Sequence, residues 1–361
     1  MRDDIEFKAV PPVPPFAVPT WLRPVISSGA KTVLAGGIAH YDAIDVVQRN
    51  NDAYSVCRMD VDAILATSDD RNAASRIIDN LNNPRAPFAG LPMAEPQIMG
   101  ILNVTPDSFS DGGQFSAPAK AVAGGNALYQ AGASIIDIGG ESTRPGAAPI
   151  TRNQELARVL PPLTGLAQSG VLLSIDTQHP EVMHRAISAG AVIINDINAL
   201  RKEGALSAAA QTGASVVIMH MQGTPETMQE SPEYGFAPAE IYEFLEARIK
   251  AAIAAGIPLE KISIDPGFGF GKTLSHNLAL VNWLSMLHGL GVPVLFGASR
   301  KSSIAKMAAG EPADQRVPGS LVLAMAAVRQ GAQMLRVHDV SETVQALAVE
   351  MALMAGMNTL R

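Results

Sequence analysis

The stretch VLLSIDTQHPEVMHRAISAGAVIIND (171–196) decides the fold. An apolar run too short for a helix ends on Asp176, a helical pattern follows over 180–189, and a second apolar run ends on Asn195 and Asp196. Runs that are apolar at nearly every position suit strands covered on both faces, which is the environment of a parallel sheet. The same unit recurs on both sides. QIMGILN (97–103), SIIDIG (134–139), SVVIMH (215–220), ISID (262–265), VPVLFG (292–297) and QMLRVH (333–338) complete a set of eight runs. Helical patterns lie between them at 153–168, 239–255, 274–287, 320–330 and 341–354. Eight strand–helix units in about 260 residues match the size of a (β/α)8 TIM barrel, an α/β fold. A doubly wound open sheet is the alternative. Polar and charged residues gather just after the runs, on the rim where a barrel places its active site. Small tripeptides such as AGA (189–191), TGA (212–214) and QGA (330–332) precede them and read as scaffold turns.

Composition narrows the function classes. The 361 residues are 47% hydrophobic and 17% charged, enough apolar material for a large core. A net charge of −7 argues against nucleic-acid binding, which draws on basic surface. One cysteine, Cys57, excludes an internal disulfide and a four-cysteine zinc site, and reads as a small buried residue. The N-terminus carries acids and no apolar core of a secretory signal, and no apolar run is long enough to span a bilayer. The expectation is a cytoplasmic protein without membrane or nucleic-acid partners.

Residues 1–95 stand apart from the barrel domain at 96–361, as an N-terminal extension or small domain. Six prolines among the first 24 residues suggest an extended arm over the surface. Short helices are expected over 43–49 and 72–81, a strand over 63–67, and a linker over 82–96 where prolines recur.

Several strings carry chemistry. NVTPDSFSDGG (103–113) is a long polar loop able to close over a substrate, with Asp107 and Asp111 as acids or plain turn formers. GGESTRPGA (139–147) offers Thr143 and Arg144 to an oxyanion. Asp176, Asn195 and Asp265 each end a strand. Each can cap the helix that follows, or read the donors of a nitrogen heterocycle; three at one rim favour the second use. GFGFGKT (267–273) imitates a phosphate loop, but the first glycine of that motif would fall on Pro266, which has no N–H. The glycines instead let the backbone turn around a ligand, with Phe268 or Phe270 as an apolar wall. GASRKSS (297–303) places Lys301 and Ser302 at a helix N-terminus, and RVHD (336–339) sets Arg336 and His338 on one strand face, both suited to anions. His220, between Met219 and Met221, reads as packing or hydrogen bonding rather than a metal ligand.

Together and in this order, these strings resemble dihydropteroate synthase, a folate-pathway family, over roughly three quarters of the chain. The resemblance implies a barrel that joins 6-hydroxymethyl-7,8-dihydropterin diphosphate to 4-aminobenzoate, with Mg2+ as cofactor and a homodimer as the assembly. It assigns the pterin pocket to Asp176, Asn195, Asp265 and Lys301, walled by Met219. Diphosphate falls to Thr143, Arg144, Arg336 and His338, with Asn103 near Mg2+. Phe109, Pro145 and Phe270 would shape the aminobenzoate slot, and Ser302 would take its carboxylate. Asp176, Arg336, His338 and Lys301 are the expected catalytic set. Arg336→Ala is expected to cut turnover with the fold intact. A pterin-dependent methyltransferase barrel and a non-catalytic pterin binder are the competing readings; the intact motifs weigh against both. The extension is the departure from the family pattern, and covering the barrel bottom or a partner subunit is its expected use.

Overall fold

The computed structural model describes residues 5–105, 117–141 and 150–359. The first part of the chain builds a sheet of its own: β1 (Ile5–Phe7), β2 (Thr20–Ile26), β3 (Thr32–Val33), β4 (His40–Asn50) and β5 (Ala53–Met59), followed by α1 (Val61–Thr67) and α2 (Arg71–Asn82). The strands run in the order β1-β5-β4-β2, with β3 also on β4. Pro24 lies in β2, an edge strand, where a missing N–H is tolerated. Its carbonyl accepts a hydrogen bond from Ser285 Oγ at 2.8 Å.

Three expectations for this region are corrected. Residues 43–49 belong to strand β4, not a helix. β4 is central and buried on both faces, so its apolar residues do not alternate and imitate helical spacing. Residues 63–67 lie in helix α1, which Asp60 caps by accepting from the Ala63 N–H at 2.7 Å. Nor is the proline-rich start only a surface arm, since Trp21 and Leu22 are buried. The helix expected over 72–81 is α2.

The barrel follows as strand–helix units, with two helices after the seventh strand: β6 (Gln97–Asn103), α3 (Ala117–Gln130), β7 (Ile135–Gly139), α4 (Arg152–Leu166), β8 (Leu172–Asp176), α5 (Pro180–Ser188), β9 (Ile193–Asp196), α6 (Ala205–Thr212), β10 (Ser215–Met219), α7 (Ala237–Ala254), β11 (Ile262–Asp265), α8 (Leu274–Asn282), β12 (Leu295–Phe296), α9 (Ser302–Met307), α10 (Val317–Arg329), β13 (Met334–Val337) and α11 (Val340–Thr359). All strand pairs are parallel, in the order β11-β10-β9-β8-β7-β6-β13-β12. The circle closes where Ile264 of β11 bridges Val294, just before β12. The helix expected over 274–287 divides into α8 and a 3-10 helix, Leu284–Leu290.

Strand alternation sorts the side chains. Met99, Ile135, Ile193, Val217, Leu295 and Met334 form an inner layer at the N-terminal end of the barrel, and Phe88 and Met93 pack into it from residues 83–96. That segment closes the barrel bottom. The first sheet docks beside the barrel. Tyr54 stacks near Phe236 (5.4 Å between centroids), which meets Trp283 edge-on at 5.1 Å. Arg23 lies 4.3 Å over the Trp283 ring, and Arg49 pairs with Glu243 at 2.8 Å.

Candidate active site

The register of the ladders sets the site. Asn103, Gly139, Asp176 and Asn195 fall in one row across β6, β7, β8 and β9. Met219 pairs with Asp265 across β10 and β11. With a period of two, each of these side chains turns to the same face as the inner layer two or four residues earlier. The row therefore opens at the C-terminal mouth. A Cβ added to Gly139 would lie 3.7 Å from both Asn103 Oδ1 and Asp176 Oδ2, in ordinary van der Waals contact, so both oxygens border this glycine.

A charged network fills the mouth. Arg336 Nε donates to Asp137 Oδ2 at 2.7 Å, and its Nη2 donates to Asp176 Oδ2 at 2.8 Å. Asn195 Nδ2 donates to the same Asp137 oxygen at 2.9 Å. Burial opposes the charge of Arg336, but Asp137 and Asp176 overrule it and hold its pKa above the ordinary value. Burial pushes Asp176 up to about 7 against the pull of Arg336, with the neighbouring acid Asp137 adding to the rise. Asp265 is raised by burial as well, with Lys301 opposing. Lys301 is pushed down to about 8 by burial, while Asp265 supports its charge and Arg336 works against it. Asp265 and Arg336 thus lie close enough at the barrel mouth to act on each other's charge, and Lys301 acts on both. Lys301 Nζ donates to the Phe268 carbonyl and lies 4.5 Å over the Phe270 ring.

The remaining expected residues take definite places. Met219 packs with Ile197, Met221, Met228 and Phe270 in an apolar cluster at the rim. His338 follows β13 with its Nδ1 3.0 Å from Ser299 Oγ, which joins the ends of β13 and β12. Ser302 is the first, exposed residue of α9. Thr143, Arg144, Pro145, Phe109, Asp107 and Asp111 lie outside the described residues. Helix capping does not explain the polar strand ends. α5 has His179 at its N-cap, not Asp176, and Asn195 bonds to Asp137 two strands along the wall. The local turn is instead held by Asp196, whose carboxylate accepts from the Asn198 and Leu200 N–H groups at 2.7 and 2.9 Å.

Sequence reasoning missed Asp137, the fully buried partner of Arg336. A signal was present: an acid in the middle of SIIDIG is too costly to bury without a counter-charge. Lys272 and His220 also carry more than expected. Lys272 is buried at 3% exposure, with Nζ 2.9 Å from His220 Nδ1. His220 therefore hydrogen-bonds, and it also meets Phe244 edge-on at 4.8 Å.

Comparison with known proteins agrees with this geometry. The family model described as pterin binding enzyme matches residues 99–338, leaving the N-terminal sheet outside. Dihydropteroate synthase of Escherichia coli K12 is 50% identical over 260 residues, covering 72% of this chain and 92% of that protein. The Neisseria meningitidis serogroup B enzyme of the same name is 47% identical over 265 residues, covering 72% and 93%. Among solved structures, Yersinia pestis dihydropteroate synthase with a sulfonamide drug complex superposes with a TM-score of 0.70 at 49% identity, covering 73% of this chain and 96% of that one. The Xanthomonas albilineans enzyme with 4-aminobenzoic acid gives a TM-score of 0.70 at 49% identity, over 74% and 97%. The same enzyme in complex with 7,8-dihydropteroate gives 0.67 at 46%, over 73% and 96%. With the family model spanning the barrel and half of the aligned residues identical to curated members, the chain belongs to the dihydropteroate synthase family of pterin-binding enzymes.

Proposed function

We propose that this chain condenses 6-hydroxymethyl-7,8-dihydropterin diphosphate with 4-aminobenzoate, giving 7,8-dihydropteroate and diphosphate. The observation that carries the reading is the convergence of Asp176, Asn195 and Asp265 with Arg336 and Lys301 in one barrel mouth. Relatives bearing this activity in their names, and one solved with 7,8-dihydropteroate, support it.

Roles follow from charge. Asp265 and Asn195 face the ring nitrogens and amino group of the pterin, which supply the donors a buried carboxylate needs. Met219 and Phe270 bound its flat faces. Arg336 and His338 meet the diphosphate end, joined by Thr143 and Arg144. As the methylene C–O bond breaks, these cations stabilise the charge gathering on the departing oxygen. Asp176 lies between the two ends and stabilises the cation-like methylene. The aniline nitrogen then forms the new C–N bond and loses its proton to solvent. Lys301 borders the pterin beside Asp265, and Ser302 takes the aminobenzoate carboxylate, with Phe109, Pro145 and Phe270 shaping that slot. Asn103 Oδ1 and Asp176 Oδ2 both border Gly139, and oxygens of this kind would hold a hard cation. Mg2+ held there would neutralise the diphosphate. A homodimer and a cytoplasmic location belong to the same proposal. Exposed Leu278, Met307 and Val322 on α8, α9 and α10 support the dimer, which sedimentation would read. No helix among the described residues is long and apolar enough to cross a membrane.

The test is direct. Purified protein with both substrates and Mg2+ is expected to form dihydropteroate, and a sulfonamide to compete with 4-aminobenzoate. Absence of product from folded protein would overturn the proposal.

A further inference from the structure

The imitation phosphate loop at residues 267–273 has an unusual construction. Five successive backbone carbonyls are each taken by a side-chain donor. Lys272 Nζ donates to Gly267 O at 2.8 Å and to Phe270 O at 2.9 Å. Lys301 Nζ donates to Phe268 O. Gln229 Nε2 reaches Gly269 O at 2.9 Å, and the Tyr234 hydroxyl reaches Gly271 O at 2.8 Å. The loop also sits directly on the segment after β10. A Cβ on Gly267 would fall 1.9 Å from His220 O, and one on Gly271 would fall 2.4 Å from Gln222 O. Both glycines have positive φ, +68° and +59°, so neither position admits a side chain on conformation or on space.

Lys272 ties the first and fourth of these carbonyls together from beneath. Its third partner is His220 Nδ1 at 2.9 Å. An ammonium has three donors and no acceptor, and three acceptors surround it. The same turn places the Gly267 N–H 2.7 Å from Asp265 Oδ1, which fixes that carboxylate. Burial pushes the Lys272 pKa well down, while the Asp265 carboxylate supports its charge, so the two groups are electrostatically linked.

We infer that Lys272 is a positioning residue for pterin recognition: it holds the 266–271 loop on His220 so that Gly267 orients Asp265 and Phe270 keeps its place at the rim. The ammonium touches no ligand and acts through the loop. This inference rests on the proposed pterin site at Asp265.

The experiment is a double-mutant cycle on pterin affinity. Binding of 6-hydroxymethylpterin to the full-length protein is measured by calorimetry, without aminobenzoate, for wild type, Lys272→Met, Asp265→Asn and the double variant. Thermal unfolding is followed in parallel. Hydrogen bonds to a charged group are worth enough that Lys272→Met is expected to weaken binding about tenfold. In the Asp265→Asn background the same change is expected to add less than about twofold, because the group it orients is gone. A purely structural lysine would give additive losses, and that result would overturn the inference, as would unchanged affinity in folded Lys272→Met. Should Lys272→Met fail to fold, His220→Phe takes its place in the cycle. It removes one acceptor, keeps an aromatic ring against Phe244, and is expected to cost about threefold with the same non-additivity. Wild-type affinity in Asp265→Asn would overturn the site reading along with the inference, whereas loss in Asp265→Asn with none in Lys272→Met removes the lysine's role alone.

Discussion

Arg336 is the point where stability and chemistry meet. It is the common partner of Asp137 and Asp176, so its loss leaves two interior carboxylates without a counter-charge. Breaking a buried pair in this way costs about 3 kcal/mol or more. The expectation of an intact fold after Arg336→Ala is therefore revised. The variant should lose turnover by at least a hundredfold and also melt earlier, and the melting deficit should shrink as pH falls below about 7, where Asp176, freed of the pull of Arg336, takes up its proton. Calorimetric scans at two pH values check this. Glu155 offers a second titration. It is buried on α4, and burial lifts its pKa to about 7, with the Thr177 hydroxyl opposing and the Glu141 carboxylate adding to the rise. A carboxyl raised in the fold stabilises fully below its unfolded value and loses that contribution as pH climbs through 7. Glu155→Gln should therefore match wild type near pH 4 and exceed it at pH 8 by on the order of 2 kcal/mol; denaturant titrations at both values would show it. At this scale the sequence was legible wherever a polar residue ended a strand, as with Asp176, Asn195 and Asp265. Asp137 escaped because it sits inside an apolar run, where only the cost of burying it betrays its partner.

Among the elements, barrel strands were the easiest to read, because eight similar runs each announce a strand covered on both faces. The N-terminal sheet was harder. β4 carries Asp45 and Gln48 inside along with its apolar residues, so neither parity is cleanly polar. Asp45 is tolerated there because Arg23 and Arg58 bracket it at 3.1 and 2.8 Å. That bracket depends on cross-strand neighbours, which spacing along the chain cannot reveal. The segment at residues 83–96 looked like a linker because of its prolines, yet it delivers Phe88 and Met93 into the lowest barrel layer. Phe88→Ala should cost about 3–5 kcal/mol by opening a cavity against Met99 and Met334, while kinetic constants at 25 °C stay within about twofold. Urea unfolding paired with a steady-state assay tests both halves of that statement.

Taken whole, the molecule is a barrel with an accessory sheet clamped to one flank. The clamp is aromatic and cationic: Trp21, Tyr54, Phe236 and Trp283, with Arg23 and Arg49 over the indoles. It also reaches toward the site, since Tyr54 abuts Gly235 next to Tyr234, whose hydroxyl holds the Gly271 carbonyl. Removing residues 1–82 should leave a barrel that still turns over but aggregates through the bared Phe236 and Trp283, whereas removing residues 1–95 should abolish the folded state by unplugging the bottom. Light scattering and activity on the two truncations would separate these outcomes. The closing contact of the barrel carries one last implication. Every other neighbour along the wall is secured by a ladder of paired residues, but β11 and the start of β12 share a single bridge, Ile264 to Val294, supported by the Pro293 carbonyl, which accepts from the Ile264 N–H at 3.0 Å and Ser263 Oγ at 2.9 Å. Val294 is braced from the far side by Gln333, whose Oε1 accepts its N–H at 2.9 Å. The cylinder therefore has a built-in zip: under mechanical load or rare thermal opening it should part along this line first, lifting the Asp265 side of the mouth away while the wall from β6 to β9 stays joined.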